Sequence, residues 1–406
     1  MKTNISLEEA LEQLLAYSHP TEVEMCPLND ALGRILGEDL TAQENIPPFD
    51  RSPYDGFAFR AADTATATKE HPVTIEVIEE IPAGHAPQHK IRAGQGAKIL
   101  TGAAIPEGAD LVVPFEKTVS KENYVTVFHG GKSGENIVPA GEDIRKGTVF
   151  AQKGLSISPP MIGLMASLGF ANIPVYRKPR IAVFSSGDEL MDVSEQLAPG
   201  KIRNSNSYTL MGYIKEIGAE PIMLGLARDR VEDIADLMRQ GLAQADMVIS
   251  TGGVSVGDYD VVKDAYPLIG AETLYWKVKM KPGSPTAAAV KDGKILLGLS
   301  GNPASAMVIF QLLGMPSIKK MAGQQNYLHE KLEVALKQNF HKQSSSRRFL
   351  RGRLTFNGGK LFLDISGEQG NGVLSSMVGS NLLADIPAGS GPLDSGQKLS
   401  AYLIQS

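Results

Sequence analysis

Four stretches of the 406-residue chain join glycine, hydroxyl and acidic side chains where a buried strand should end. Ser250-Thr251-Gly252-Gly253 follows the apolar run Met247-Val248-Ile249. Backbone N–H groups in such a loop can cradle a phosphate without any side-chain charge, although a Gly-Gly pair is as often a plain tight turn. Glu189, Asp229 and Asp260 each follow a predicted strand, so they could converge on that loop. Two or three carboxylates beside an oxyanion site suit Mg²⁺, whereas any one alone reads equally as a helix cap or a solvated loop acid. Lys281, in Met280-Lys281-Pro282-Gly283, is held off any helix face and poised to meet an anion. Its plainer reading is an exposed loop lysine. Two further segments have no regular period and suit either function or tight connection: Pro47-Pro48-Phe49-Asp50-Arg51-Ser52-Pro53-Tyr54-Asp55-Gly56-Phe57-Ala58 and Thr101-Gly102-Ala103.

The elements that must position these residues follow from periodicity. Ser6 and Glu9 form a capping box ahead of an amphipathic helix over 6–17, and Leu28–Leu36 predicts a second short helix. Residues 46–143 are rich in proline and glycine, with alternation at Val73–Val77 and Tyr124–Phe128, which predicts an inserted β-rich domain. A helix at Pro160–Leu168 stops at Gly169. Segments 1–45 and 144–179 together make a discontinuous helical linker domain. From 180 to 323 short apolar runs alternate with helical periods. Ile181–Phe184, Pro221–Leu226, Met247–Ile249 and Ile295–Leu299 are the strands, and a doubly wound α/β domain follows. In such a sheet ligands bind at the carboxyl ends of the strands. Asn302 suits an N-cap and Pro303 the first helical position. Residues 324–406 turn to β again, with Asn357-Gly358-Gly359-Lys360 as a hairpin turn, and predict a small β-barrel or sandwich.

Composition removes several classes. Net charge is −5 with basic residues spread along the chain, so no nucleic-acid footprint exists. The single cysteine, Cys26, excludes an intrachain disulfide framework and a Cys-rich metal site. His85 and His89 have a ligand-like spacing, but Pro87 between them breaks the helix that would present both. No apolar run approaches membrane-spanning length and no leader pattern opens the chain, so a cytoplasmic protein is expected.

Taken together, the segments resemble the molybdopterin molybdenumtransferase (MoeA) family, whose relatives include the C-terminal domain of gephyrin. The resemblance rests on residues 47–58 and on Leu-Thr-Gly-Ala at 100–103 and Ala-Gly-Glu-Asp-Ile at 140–144. It continues through Ser-Ser-Gly-Asp-Glu-Leu at 185–190, Ile-Arg-Asn-Ser-Asn-Ser at 202–207 and Thr-Gly-Gly-Val-Ser-Val-Gly-Asp-Tyr-Asp at 251–260. Lys-Pro-Gly at 281–283, Gly-Asn-Pro-Ala-Ser at 301–305 and Phe-Leu-Arg-Gly at 349–352 complete it. Nine short motifs in one order are specific where any one is weak.

The resemblance implies a central molybdopterin-binding domain and a homodimer. In that dimer Asp55, Thr101 and Asp143 of one subunit face Glu189, Asp229 and Asp260 of the other. It implies adenylylated molybdopterin and molybdate as substrates, Mg²⁺ as cofactor, and dealings with the adenylylating enzyme and acceptor molybdoenzymes. Glu189, Asp229 and Asp260 would be the metal ligands, and these acids with Asp55 and Lys281 the catalytic set. Substrate contacts would come from Thr101, Asp143, Ser250, Thr251, Gly252, Gly253, Ser255, Ser284, Asn302, Pro303, Arg351 and Asn371. Lys281 and Arg351 would hold molybdate, because fixed cations can replace a dianion's hydration shell. The chain departs from the family pattern at Val138, Ser284, Ser300 and Asn371, and Ser284 removes a lysine from the expected molybdate pocket. Two alternatives stand beside this reading. One is the adenylylating enzyme, whose loop resembles Thr-Gly-Gly-Thr-Gly, not Thr-Gly-Gly-Val-Ser. The other is a gephyrin-like binding scaffold, which has no need of the carboxylates.

Overall fold

In the computed structural model, residues 2–254 and 261–404 are described. The central element is a seven-stranded sheet in the order Lys2–Ile5, Glu272–Val278, Ala287–Lys291, Lys294–Leu299, Met247–Thr251, Arg180–Ser186 and Glu220–Ala227. All neighbours pair in parallel except those of Ala287–Lys291, which runs against both. Alternation along Arg180–Ser186 sends Ile181 and Val183 into one apolar cluster and Ala182 and Phe184 into another, so helices must cover both faces. The helices Leu7–Tyr17 and Asn206–Glu216, with the segment 303–321, cover the first face; Val231–Gln244 and Val261–Leu268 cover the second. This is the doubly wound arrangement the periodicity predicts.

The N-terminal segment differs from expectation. Residues 1–45 read as part of the linker, yet Lys2–Ile5 is the edge strand of the central sheet, paired with Tyr275–Val278. Leu7, Ala10 and Leu14 of the following helix are buried in that sheet's core. The capping box is as predicted: Ser6 Oγ accepts from Glu9 N–H, and Glu9 Oε2 from Ser6 N–H. A second difference is local. Leu28–Leu36 makes only a 3₁₀ turn at Leu28–Asp30, because Gly33 turns the chain and Ile35 and Leu36 bridge to Ser156 and Val175.

Around the central sheet lie smaller units. Val23–Pro27 pairs with Asn172–Tyr176, and Leu40–Thr41 with Val149–Ala151. Within 46–143 a six-stranded sheet is built about Gly56–Phe59, Val73–Ile81 and Gln95–Ile99. Toward the C-terminus five strands close a barrel. Its Arg348–Asn357 and Lys360–Ile365 strands are joined by Gly358-Gly359, both at positive φ as a two-residue hairpin requires. No described helix is long and apolar enough to cross a membrane.

The helical segment after Pro303 widens to a π-turn at Phe310–Gly314, where Met315 N–H reaches Phe310 C=O. In that wider register Pro316 has no N–H to give Gln311 C=O, which leaves that carbonyl without a helical donor. His329 Nε2 takes the orphan carbonyl at 2.7 Å. Burial, and secondarily the charge of Lys319, holds the His329 ring below its ordinary pKa, against two backbone hydrogen bonds. The fold therefore favours the neutral ring, and its stability contribution is complete above about pH 6.5 and lost as pH falls below that value. Thermal melts from pH 7.5 to 5.5 should show a steeper loss for the native chain than for His329→Gln. Equal slopes would remove His329 from the acid sensitivity.

Candidate active site

The carboxyl ends of four parallel strands open onto a cavity of about 400 Å³, lined among others by Glu189, Asn206, Asp229, Gly252, Gly253 and Asn302. Gly252 is there for lack of room. At φ +92° a Cβ would sit 2.2 Å from Ser186 C=O. Its N–H is already donated to Leu299 C=O at 3.0 Å, so the expected two-amide cradle is reduced. Gly253 N–H has no acceptor among the described residues, and Gly253 lines the cavity. Ser250 is buried behind the loop and does not line the cavity, whereas Thr251 does.

Beneath the loop is a buried polar web that turn-like sequence does not single out. Ser185 Oγ meets Asn204 Oδ1 at 3.0 Å, Ser207 Oγ at 2.8 Å and Thr251 Oγ1 at 2.8 Å. Asn206 Nδ2 donates to Gly301 C=O at 2.9 Å and to Thr251 Oγ1 at 3.4 Å. These bonds tie the ends of three strands to the start of the Asn206–Glu216 helix, so the cavity floor is rigid. The only advance signal is the Ile-Arg-Asn-Ser-Asn-Ser string itself.

The acidic wall is compact. Asp188 and Asp229 exchange backbone N–H to carboxylate bonds at 3.4 Å each. The carboxylate of Glu189 folds over Gly187, where a Cβ would lie 2.6 Å from its Oε2. Burial pushes the Asp229 carboxyl up, and the charges of Glu189 and Asp188 add to this, while the Asp188 amide pulls it down. No cation offsets these charges on Asp229. Oxygen donors of this kind suit a hard cation, yet among the described residues no three acidic, His or Cys side chains converge as a metal site. Asp260 and Ser255, expected here, lie outside the described residues.

The barrel contacts the segments next to the cavity, although none of its residues lines it. Lys281 N–H donates to Arg347 C=O, and Phe349 N–H to Lys281 C=O, both at 2.8 Å. Lys281 thus bridges to Arg348, on the strand that also carries Arg351, with Lys281 exposed and Pro285 lining the cavity. Arg351 is wholly buried. Its Nε donates to Ser376 Oγ at 2.7 Å and its Nη2 to Gly370 C=O at 3.1 Å, while Nη1 has no partner among the described residues. Burial, with the neighbouring Arg348 charge, pulls the Arg351 pKa down to about 10. Among the described residues no carboxylate neutralises either guanidinium. Asn302 and Pro303 take the N-cap and first helical positions, but the Asn302 side chain makes no capping bond. Asn371 C=O instead accepts Ser305 N–H at 3.2 Å.

Within 46–143, Asp55 Oδ1 accepts Thr101 N–H at 2.7 Å and Thr101 Oγ1–H at 2.8 Å, which holds the carboxyl below its usual range. Asp50 Oδ1 takes Ala140 N–H at 2.7 Å, and Asp143 N–H pairs with Ile46 C=O at 3.0 Å, so the motif loops are bound to one another. No residue of this unit lines the cavity within the single chain.

Three family models match in sequence order: the MoeA N-terminal region (domain I and II) over 5–169, a probable molybdopterin binding domain over 182–320, and the MoeA C-terminal region (domain IV) over 333–404. A molybdopterin molybdenumtransferase of Bacillus subtilis (strain 168) is 38% identical, the match covering 100% of this chain and 95% of the relative. One of Staphylococcus epidermidis is 35% identical over 100% and 97% of the two chains. The solved structure of a molybdopterin biosynthesis MoeA protein from Pyrococcus horikosii superposes with a TM-score of 0.89 at 30% identity, covering 99% of this chain and 100% of that one.

Proposed function

The chain belongs to the MoeA family of molybdopterin molybdenumtransferases, and we propose that it inserts molybdate into adenylylated molybdopterin, releasing AMP and finished cofactor. The observation that carries this reading is Arg351, a buried guanidinium with one nitrogen unpartnered and no counter-ion among the described residues, on the strand that Lys281 joins. A desolvated, uncompensated cation is costly unless an anion completes it. Molybdate, a dianion that accepts bonds on every oxygen, meets that need. The phosphate end of the substrate goes to Gly253 N–H and the acidic wall, and the rigid web holds both ends in one orientation. Glu189 and Asp229, together with Asp260 beyond the described residues, would hold Mg²⁺. When bound, that ion supplies charge neutralisation at the phosphoanhydride. The proposal includes a homodimer, in which the partner's inserted unit brings Asp55, Thr101 and Asp143 to the cleft, and a cytoplasmic setting beside the adenylylating and acceptor enzymes.

The chain incubated with adenylylated molybdopterin, molybdate and Mg²⁺ should release AMP and yield cofactor that activates an apo-molybdoenzyme. A charge-assisted hydrogen bond is worth about 1.5–3 kcal/mol, so Lys281→Ala should raise the molybdate requirement roughly ten- to a hundredfold. Ser284→Lys should lower it. AMP release that ignores molybdate in all three proteins would refute the assignment of this pocket.

A further inference from the structure

The barrel loop after Lys360–Ile365 holds Arg351 in an unusual way. The ladder between the Arg348–Asn357 and Lys360–Ile365 strands ends at the pair Gly352–Ile365. One residue further, Ser366 N–H still donates to Arg351 C=O at 3.0 Å, and a side chain joins it. Gln369 Oε1 accepts Arg351 N–H at 2.9 Å, and its Nε2 donates to Arg351 C=O at 3.1 Å and to Ser366 C=O at 2.8 Å. The carbonyls on either side of Gln369, those of Glu368 and Gly370, accept Arg351 Nη2 at 3.4 Å and 3.1 Å. The Gln369 amide therefore holds the Arg351 backbone together with the Ser366 amide, and the carbonyls beside Gln369 hold the guanidinium. What this clamp leaves over is Nη1, buried and without an acceptor among the described residues.

We propose that Gln369 is a positioning residue for oxyanion binding: its amide orients Arg351 so that Nη1 meets the bound oxyanion. This rests on the assignment of Arg351 to molybdate made above. The geometry also separates Gln369 from the nucleotide side. The loop's link to the helix at Pro303 is made by the main chain of Asn371, so a change of side chain at 369 leaves it in place. A guanidinium is directional, and small misplacement forfeits a paired hydrogen bond even when the charge stays.

The test is calorimetric titration of the full chain with sodium molybdate and, separately, with AMP, alongside steady-state turnover. Gln369→Leu keeps the volume and removes all three bonds. Its molybdate affinity should fall about tenfold, with AMP affinity within twofold and kcat at saturating molybdate near the native value. Gln369→Glu keeps the acceptor for Arg351 N–H but adds a negative charge, and should also weaken molybdate while sparing AMP. It serves as the test if the leucine variant does not fold. Native-like molybdate affinity in a folded variant overturns the proposal, as does an equal loss for molybdate and AMP. If the native chain itself binds no molybdate, the pocket assignment fails first and this inference with it.

Discussion

Replacing Arg351 by methionine should raise the molybdate requirement by about two orders of magnitude or more, while the fold survives. Two opposing effects set the stability. Methionine removes a charge whose burial is costly, since the guanidinium has no carboxylate partner among the described residues and its pKa is drawn down to about 10. It also removes the bonds that Ser376 Oγ and the carbonyls of Glu368 and Gly370 accept from it, although Ser376 Oγ keeps Val373 C=O and Gly370 C=O keeps Val373 N–H. These terms oppose each other at similar size, so the melting temperature should move by only a few degrees. Binding has no such offset. Each lost charge-assisted bond is worth about 1.5–3 kcal/mol, and a fork supplies two. Molybdate at a hundredfold above its dissociation constant should stabilise the native chain by about 2.7 kcal/mol, and this shift should vanish in the variant. Arg351→Lys, which keeps charge but not the fork, should fall between them. A variant that melts far lower yet titrates normally with molybdate would make Arg351 a structural arginine.

The parts of this arrangement that sequence discloses are those written in local chemistry. Ser6 and Glu9 announce a cap because both partners lie within one turn. Gly358-Gly359 announces a hairpin because few other residues take positive φ twice in succession. Glu189 and Asp229 are legible as cavity residues because parallel sheets put their sites at strand ends, whereas Asp260 lies outside the described residues. What stays hidden depends on meetings across the chain. Lys-Thr-Asn-Ile at 2–5 has no strand-like pattern, and it becomes a strand only because the Glu272–Val278 edge needs a partner. Gly252 N–H reads as available to a phosphate, but Leu299, in another strand, already takes it. Gln369 reads as a loop polar residue, and nothing within its own segment says that it would clamp Arg351, eighteen positions away. Periodicity reports burial and local bonds, and it is silent on which distant backbone a side chain will meet.

Asp55→Asn and Asp229→Asn, each nearly inactive alone, should restore one another when combined in mixed dimers. Each substitution keeps the shape of its side chain. The amide oxygen that replaces Asp55 Oδ1 could still accept from Thr101 at the same position. What each removes is a charge from a preorganised polar site, and such losses cost roughly 10²-fold in turnover. No residue of 46–143 lines the cavity of its own chain. The proposed dimer therefore forms each cleft from the Asp55 of one protomer and the Asp229 of its partner. In a mixed dimer one cleft then carries both defects and the other carries neither. Random pairing of equal amounts makes half of the dimers mixed, each with one intact site of two, so about a quarter of native activity should return. That is some twenty-fold above either variant alone, on the same roughly 10²-fold loss. Subunit exchange should be confirmed with differently tagged chains, and AMP release followed as the mixture equilibrates. If exchange is complete and activity stays at the level of the parents, both carboxylates serve the same protomer's cleft and the shared site is wrong. Mixing Asp229→Asn with Arg351→Met gives the internal control. Both lie on the same protomer's side of the cleft, so their mixed dimers should regain no more than one substitution leaves behind.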